Sequence, residues 1–154
     1  MSNTAHLPSI VEASEFFGSL YGLDVHGNEV SGQDPQTIMA VATYVDDEDQ
    51  PAAYFGCDIA STCILGAALT QIPLGGVRDA IESGEISQNI KDNLCEVLNI
   101  AVNLFANPGG QRIVLRDVLF NDDCQPARDA ISAGGLISVK LDVQRYGDGI
   151  VFMR

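Results

Sequence analysis

Residues 87–106 place hydrophobic and polar side chains with the period of an α-helix. At about 100° per residue, four polar residues fall within an arc of about 60°. We call these four residues the polar face: Asp92, Glu96, Asn99 and Asn103. The opposite side is apolar and comprises Leu94, Val97, Leu98, Ala101, Leu104 and Phe105. The pattern therefore predicts one helix over 87–106 that buries its apolar side and exposes the polar face.

The polar face carries two carboxylates, two carboxamides and no cation. An ordinary exposed helix face usually combines Lys or Arg with Glu one turn away, because such pairs stabilise the helix. Asn has a low helix propensity, so helix stability does not explain Asn99 and Asn103. Two explanations stay open at this point: an ordinary solvated face, and a face selected for chemistry or binding.

The rest of the chain predicts helices and strands that alternate in blocks. Helices are predicted at 8–17, ended by Gly18, and at 58–71, 74–83 and 126–133. Strands are predicted at 20–25, 38–45, 51–57, 112–120, 136–146 and 149–153. The strands at 38–45 and 51–57 are expected to form a hairpin, and the last two strands to turn at Gly147 and Asp148.

Length and composition predict one α/β domain over residues 1–154. The chain has 154 residues, of which 46% are hydrophobic, enough for one core and too few for two ordinary domains. Its formal net charge is -13. Nucleic acid and anionic membrane surfaces would repel such a chain, so we expect neither as the main partner. A protein or a small molecule is favoured instead.

Cysteine and histidine spacing gives no zinc site. The four cysteines form no C-x-x-C pair, and His6 and His26 are the only histidines, so buried reduced thiols and no metal are expected. The acidic runs at 46–49 and 122–123 are more typical of solvated loops than of cation sites. The first residues lack a basic segment before an apolar run, and no stretch approaches the roughly 20 apolar residues of a membrane span. A cytoplasmic location is therefore expected.

Three residues of the polar face carry a family resemblance. Asp92, Glu96 and Asn99 spell D-x-x-x-E-x-x-N, which resembles the signature helix of the CheC/CheX/FliY family of bacterial chemotaxis phosphatases. The surrounding text, NLCEVLNIAVNLF, is similar to that family as well, and so is the order of predicted elements over most of the chain. The resemblance implies an α/β (α+β) CheC-like fold, an antiparallel sheet with long helices packed on one face.

The resemblance also implies an activity, that of a phospho-aspartate phosphatase acting on a CheY-like receiver domain in chemotaxis or a related two-component pathway. Asn99 would orient the attacking water, and Glu96 would pair with a lysine of the phosphorylated receiver. Asp92 and Asn103 would bind the partner. The protein would need no cofactor of its own, because the receiver domain holds the Mg²⁺.

The first predicted helix departs from the family members that have two active sites. Those members repeat the motif there, whereas this chain has Glu12 and Glu15, with Glu where Asn would stand. A second carboxylate offers no amide N–H and repels a phosphoryl group, so one site is expected, as in the CheX branch. Members of that branch pair, so a homodimer is one expectation, with the apolar segment 20–25 or 149–153 covered. The oligomeric state stays open.

A different class of function also stays open, a non-catalytic interaction module of the same fold. The middle domain of the flagellar switch protein FliM is such a module, and the segment Pro108-Gly109-Gly110-Gln111 resembles its Gly-rich binding loop. A pure scaffold has no need for Glu96 and Asn99, which favours the phosphatase.

Overall fold

The computed structural model describes residues 5–107 and 109–154. Its strands are β1 (Val25–Glu29), β2 (Ala40–Val45), β3 (Pro51–Cys57), β4 (Val114–Phe120), β5 (Ile137–Val143) and β6 (Gly147–Met153). Its α-helices are α1 (Ile10–Tyr21), α2 (Ile59–Leu69), α3 (Leu74–Ser83), α4 (Gln88–Ile100), α5 (Val102–Phe105) and α6 (Gln125–Ser132). The strands form one sheet in the order β1-β5-β6-β3-β2-β4, and every pairing is antiparallel.

Two hydrophobic clusters lie on opposite faces of the sheet. The larger cluster joins alternate residues of the strands, such as Ala42 and Tyr44, to the buried sides of α1, α2, α4 and α5. The smaller cluster joins the intervening residues Val41 and Phe152 to Ile131 of α6. The predicted α/β fold with its long helices on one face is therefore confirmed. No helix among the described residues is both long and apolar enough to cross a bilayer.

Helix α2 lies at the centre of the helical layer and supports α4. Its residues 61–68 are all buried. A Cβ atom on Gly66 would lie 2.6 Å from the carbonyl oxygen of Ile90 and 2.9 Å from its Cγ2 atom. The absence of a side chain at Gly66 thus lets α2 and α4 approach closely.

We expect Gly66→Ala to destabilise the fold by about 1–3 kcal/mol, because the added methyl group overpacks a backbone contact. Gly76→Ala in α3 is the matched control, since its Cβ would meet only Ile72 Cγ2, at 3.7 Å. That substitution is expected to be neutral or to stabilise by up to about 1 kcal/mol through helix propensity. Urea denaturation of both variants measures the difference, and equal stabilities would contradict the packing explanation.

The first helix is longer than its sequence pattern predicts. Helix α1 continues through Gly18 to Tyr21 and is capped by Gly22, which has a φ of 66° and donates its N–H to the Gly18 carbonyl at 2.9 Å. The predicted strand at 20–25 is therefore wrong, because these residues form the end of α1, a turn and the first residue of β1. Gly18 stays helical because the residues before it anchor the helix, with Ala13 and Phe17 fully buried.

The two predicted hairpins have different outcomes. β2 and β3 pair as predicted. The second hairpin, β5 and β6, turns at residues 144–146 rather than at Gly147 and Asp148, which pair with Val143 and Asp142 in the sheet. Arg145 adopts the left-handed conformation that the turn needs, with a φ of 79°.

Neither of the two segments expected to lie at a dimer edge, 20–25 and 149–153, forms an edge strand of the sheet. Residues 149–153 belong to β6, which lies inside the sheet between β5 and β3, and residues 20–25 are mostly not a strand. The outer strands of the described sheet are β1 and β4.

Candidate functional site

Helix α4 places three residues of the polar face on the protein surface. The helix begins after Ser87, whose hydroxyl accepts a hydrogen bond from the Ile90 N–H at 3.3 Å. The buried residues of α4 are Ile90, Leu94, Val97 and Leu98. Asp92, Glu96 and Asn99 are exposed on the other side, so the predicted segregation is present.

The predicted helix over 87–106 is wrong at its C-terminal end. Helix α4 stops at Ile100, Ala101 forms a turn with φ of -65° and ψ of -9°, and the short helix α5 follows. Asn103 is exposed but lies on α5 rather than on α4. The polar face therefore consists of three residues of one helix and a fourth across a break in the backbone.

Glu96 and Asn99 are the unengaged members of the polar face on α4. Asp92 accepts a hydrogen bond from Gln88 Nε2 at 2.8 Å. Within the described part of the chain, the Glu96 and Asn99 side chains make no hydrogen bond or ion pair. Residues three apart on a helix share a face, so the two side chains project together into solvent. A carboxylate that accepts and a carboxamide that both donates and accepts are thus available to a partner.

The one lysine of α4 points away from this pair. The Lys91 Nζ atom lies 5.4 Å from the centre of the Phe120 ring, on the side of α4 that packs against β4. That position suits a cation–π contact and leaves the charge of Glu96 without a partner on its own helix.

The cysteines are packed against other residues rather than placed for reaction. Cys95, next to Glu96, is half-buried. Its burial, and to a smaller extent the charge of Asp92, raises the pKa of its thiol. Burial also raises the pKa of Cys63 and of Cys124 to about 11. Cys57, Cys63 and Cys124 are buried and unpaired, as the sequence predicts. A protonated thiol is a poor nucleophile, so none of these groups is suited to covalent catalysis.

Glu12 of α1 is occupied by a helix cap. Its carboxylate accepts from the Ser9 N–H at 2.9 Å, and the Ser9 hydroxyl accepts from the Glu12 N–H at 3.1 Å, which completes a capping box. His6 Nε2 lies 2.9 Å from the same carboxylate. The Ser9 N–H, and after it His6, lowers the pKa of Glu12. Glu12 therefore has a structural role that needs no second active site.

An open cleft of about 540 Å³ separates α1 from α5. Its lining residues are Glu12, Glu15, Phe16, Ser19, Leu20, Asn103 and Leu104. Asn103 thus faces α1, and the polar face ends at the border of this cleft.

We expect the double change Glu12→Gln and Glu15→Ala to leave any phosphatase activity within a few-fold of wild type, because neither residue supplies a neutral carboxamide. Gln at position 12 preserves the capping box, so α1 stays intact. Initial rates of phospho-receiver hydrolysis provide the measurement. A loss as large as that caused by changes on α4 would mean that α1 carries a working site.

The two acidic runs form local turns. Asp46 accepts from the Glu48 and Gln50 N–H groups at 2.9 and 3.0 Å. Residues 122–123 lie in a short 3₁₀ turn over 121–124. Within residues 5–107 and 109–154, no three His, Cys, Asp or Glu side chains are grouped as they would be around a metal ion.

Comparison by sequence finds neither a matching family model nor a matching curated protein. Comparison by structure finds the FliM middle domain of Vibrio alginolyticus, with a TM-score of 0.58, 8% identity, and coverage of 94% of this chain and 87% of that one. FliY of Thermotoga maritima matches with a TM-score of 0.55, 9% identity, and coverage of 92% and 80%. The chain therefore has the CheC/CheX/FliY-type fold.

A CheX–CheY complex from Borrelia burgdorferi also matches, with a TM-score of 0.41, 10% identity, and coverage of 94% and 96%. At that score the likeness adds nothing to the assignment of the fold. All these identities are so low that the likeness shows a fold and leaves the activity to be argued from the side chains.

Proposed function

We propose that the protein is a phospho-aspartate phosphatase that acts on a receiver domain, with Glu96 and Asn99 as its catalytic residues. The observation that carries this proposal is their placement. They lie one turn apart on one exposed helix face, and no other described side chain engages them.

The chemistry requires little from the phosphatase. The oxygen of a water forms a bond to phosphorus while the bond from phosphorus to the aspartyl oxygen breaks, and the aspartate leaves as a carboxylate. The water protons pass to phosphate and solvent. Such transfers depend mainly on positioning and on charge stabilisation, which the Mg²⁺ and lysine of the receiver domain supply. This protein would need no cofactor of its own.

Asn99 suits the task of holding the water. Its carbonyl oxygen can accept a hydrogen bond from the water while its amide group donates to a phosphoryl oxygen, and it adds no negative charge. Glu96 would form an ion pair with the lysine of the receiver domain and so fix the register of the two proteins. Asp92 and Asn103 would extend the contact on either side of this pair.

The second candidate is a non-catalytic interaction module. It is favoured by the likeness in fold to the FliM middle domain, which has the highest of the three TM-scores reported above. In the segment suggested as its binding loop, Gly109 and Gly110 are exposed, and Pro108 lies outside the described residues. The free Glu96 and Asn99 side chains have no assigned task in such a module.

One experiment separates the two functions. Receiver domains from the genome that encodes this chain are phosphorylated, and each is tested for binding to the protein and for the rate at which it loses phosphate. The phosphatase proposal expects one receiver to bind and to lose phosphate faster. A receiver that binds only in its phosphorylated state, with an unchanged lifetime of the phosphoryl group, would support the module and overturn the phosphatase.

A further inference from the structure

The helix that carries Glu96 and Asn99 breaks without a local cause. The segment that follows Glu96, VLNIAVNLF, contains no Pro or Gly. The Ala101 N–H still donates to the Val97 carbonyl at 2.9 Å, as in an α-helix, but the Leu104 N–H donates only three residues back, to Ala101. Breaks of this kind arise at Pro or Gly, at bulges, or where a side chain enters the hydrogen-bond ladder.

A side chain from the sheet enters the ladder at this point. The hydroxyl of Tyr44, on β2, donates to the carbonyl of Leu98 at 2.6 Å. Leu98 immediately precedes Asn99 and follows Glu96 by two residues. In an unbroken helix that carbonyl would accept only from the backbone N–H four residues later.

Tyr44 is held rigidly enough to act as a fixed point. It is fully buried, and its ring lies 5.0 Å from the ring of Phe105 in α5. Strand β2 is paired on both sides, and the register shifts between Thr43 and Tyr44 against β4 and between Tyr44 and Val45 against β3. Irregularities of this type re-aim a side chain, here toward the helical layer.

The Tyr44 hydroxyl keeps its proton, and so remains a hydrogen-bond donor, over the ordinary range of pH. Burial, and to a smaller extent Cys57, raises the pKa of Tyr44 above its usual value. A buried hydroxyl without a hydrogen-bond partner destabilises the fold, so the bond from Tyr44 to the Leu98 carbonyl is favoured over a state in which the two groups are separated.

We propose that Tyr44 is a positioning residue for Asn99, which it holds by fixing the Leu98 carbonyl at the end of α4. This inference rests on the proposed function. Among the described residues, the Asn99 side chain has no hydrogen-bond partner that could hold it from the surface, so its position depends on the backbone below. An error of about 1 Å in a positioned group can cost up to about 100-fold in rate.

The test is Tyr44→Phe, with Tyr21→Phe as a matched control. The Tyr21 hydroxyl also donates to a helix carbonyl, that of Leu65 in α2, at the same distance of 2.6 Å. Each change removes one hydroxyl that donates to a helix carbonyl and keeps the ring. Both variants are expected to lose a similar few degrees in melting temperature.

The kinetic arm measures kcat for phospho-receiver hydrolysis and the Kd of the receiver complex. We expect Tyr44→Phe to lower kcat about tenfold with Kd changed less than twofold, and Tyr21→Phe to change neither. If the two variants lose activity in the same proportion, Tyr44 has only a structural role.

The exchange arm is independent of activity. Amide hydrogen exchange at Ala101 and Leu104 is expected to be about tenfold faster in Tyr44→Phe than in Tyr21→Phe, because the junction loosens. Unchanged or slower exchange there overturns the proposal, whatever the activity. If the wild-type protein proves inactive while the exchange arm succeeds, the hold on Leu98 stands and the proposed function fails.

Discussion

We expect Asn99→Ala to lower the turnover number for phospho-receiver hydrolysis by about 10- to 1,000-fold while the Kd of the complex changes less than about twofold. The change removes the group that orients the water and leaves the charges that govern association in place. Because Asn99 is exposed and its side chain makes no hydrogen bond or ion pair with the described residues, its truncation opens no cavity in the core.

Two further variants sharpen this comparison. Asn99→Asp keeps the size of the side chain but removes its N–H donors and adds a negative charge toward phosphate, so a loss of at least about tenfold is expected. Asn89→Ala is the control, since Asn89 is also exposed on α4 but lies about 15 Å along the helix from Asn99. Equal rates for Asn89→Ala and Asn99→Ala would rule out a water-orienting role.

Glu96→Ala is expected to weaken receiver binding as well as turnover, because it removes a charge that pairs with the partner. At about 0.05 M salt we expect the Kd to rise about three- to thirtyfold. At about 0.5 M salt the effect is expected to shrink below about threefold, since the Debye length is then only a few ångströms.

The control for Glu96 must change the net charge in the same way. Glu82→Ala removes one exposed carboxylate from α3, so both variants move the formal charge from -13 toward zero by one. Binding titrations at the two salt concentrations give the change in Kd with salt for each variant. If the two variants show the same salt dependence of Kd, Glu96 contributes only to the overall field of the protein and does not form a specific ion pair.

Elements bounded by local signals are predictable from this sequence. The predicted bounds of α3 and β3 agree with the structure. Helix α3 starts after Pro73 and ends at Gly84, which has a φ of 73°, and both signals act on their immediate neighbours. The end of α1 is not predictable in this way, because both Gly18 and Gly22 could end the helix. Only the packing of the helix against the core decides that it ends before Gly22.

The candidate site shows the same division between local and distant causes. The separation of polar and apolar residues on α4 follows from helical periodicity, so the exposure of Glu96 and Asn99 could be predicted. The break at Ala101 could not be predicted, because it is associated with the hydrogen bond from Tyr44 to the Leu98 carbonyl, and Tyr44 lies 54 residues before Leu98 in the chain. In the sequence, Tyr44 is one more residue of an apolar strand, and nothing near it indicates contact with the site.

Catalysis itself is tested most directly by the phosphate released when wild-type protein is added, at a small fraction of the receiver concentration, to a receiver domain that is continuously rephosphorylated. The proposed function predicts release of many equivalents of phosphate per molecule of protein, at a rate proportional to the amount added. Release that stays at the receiver's own spontaneous rate, for a receiver shown to bind, would contradict it.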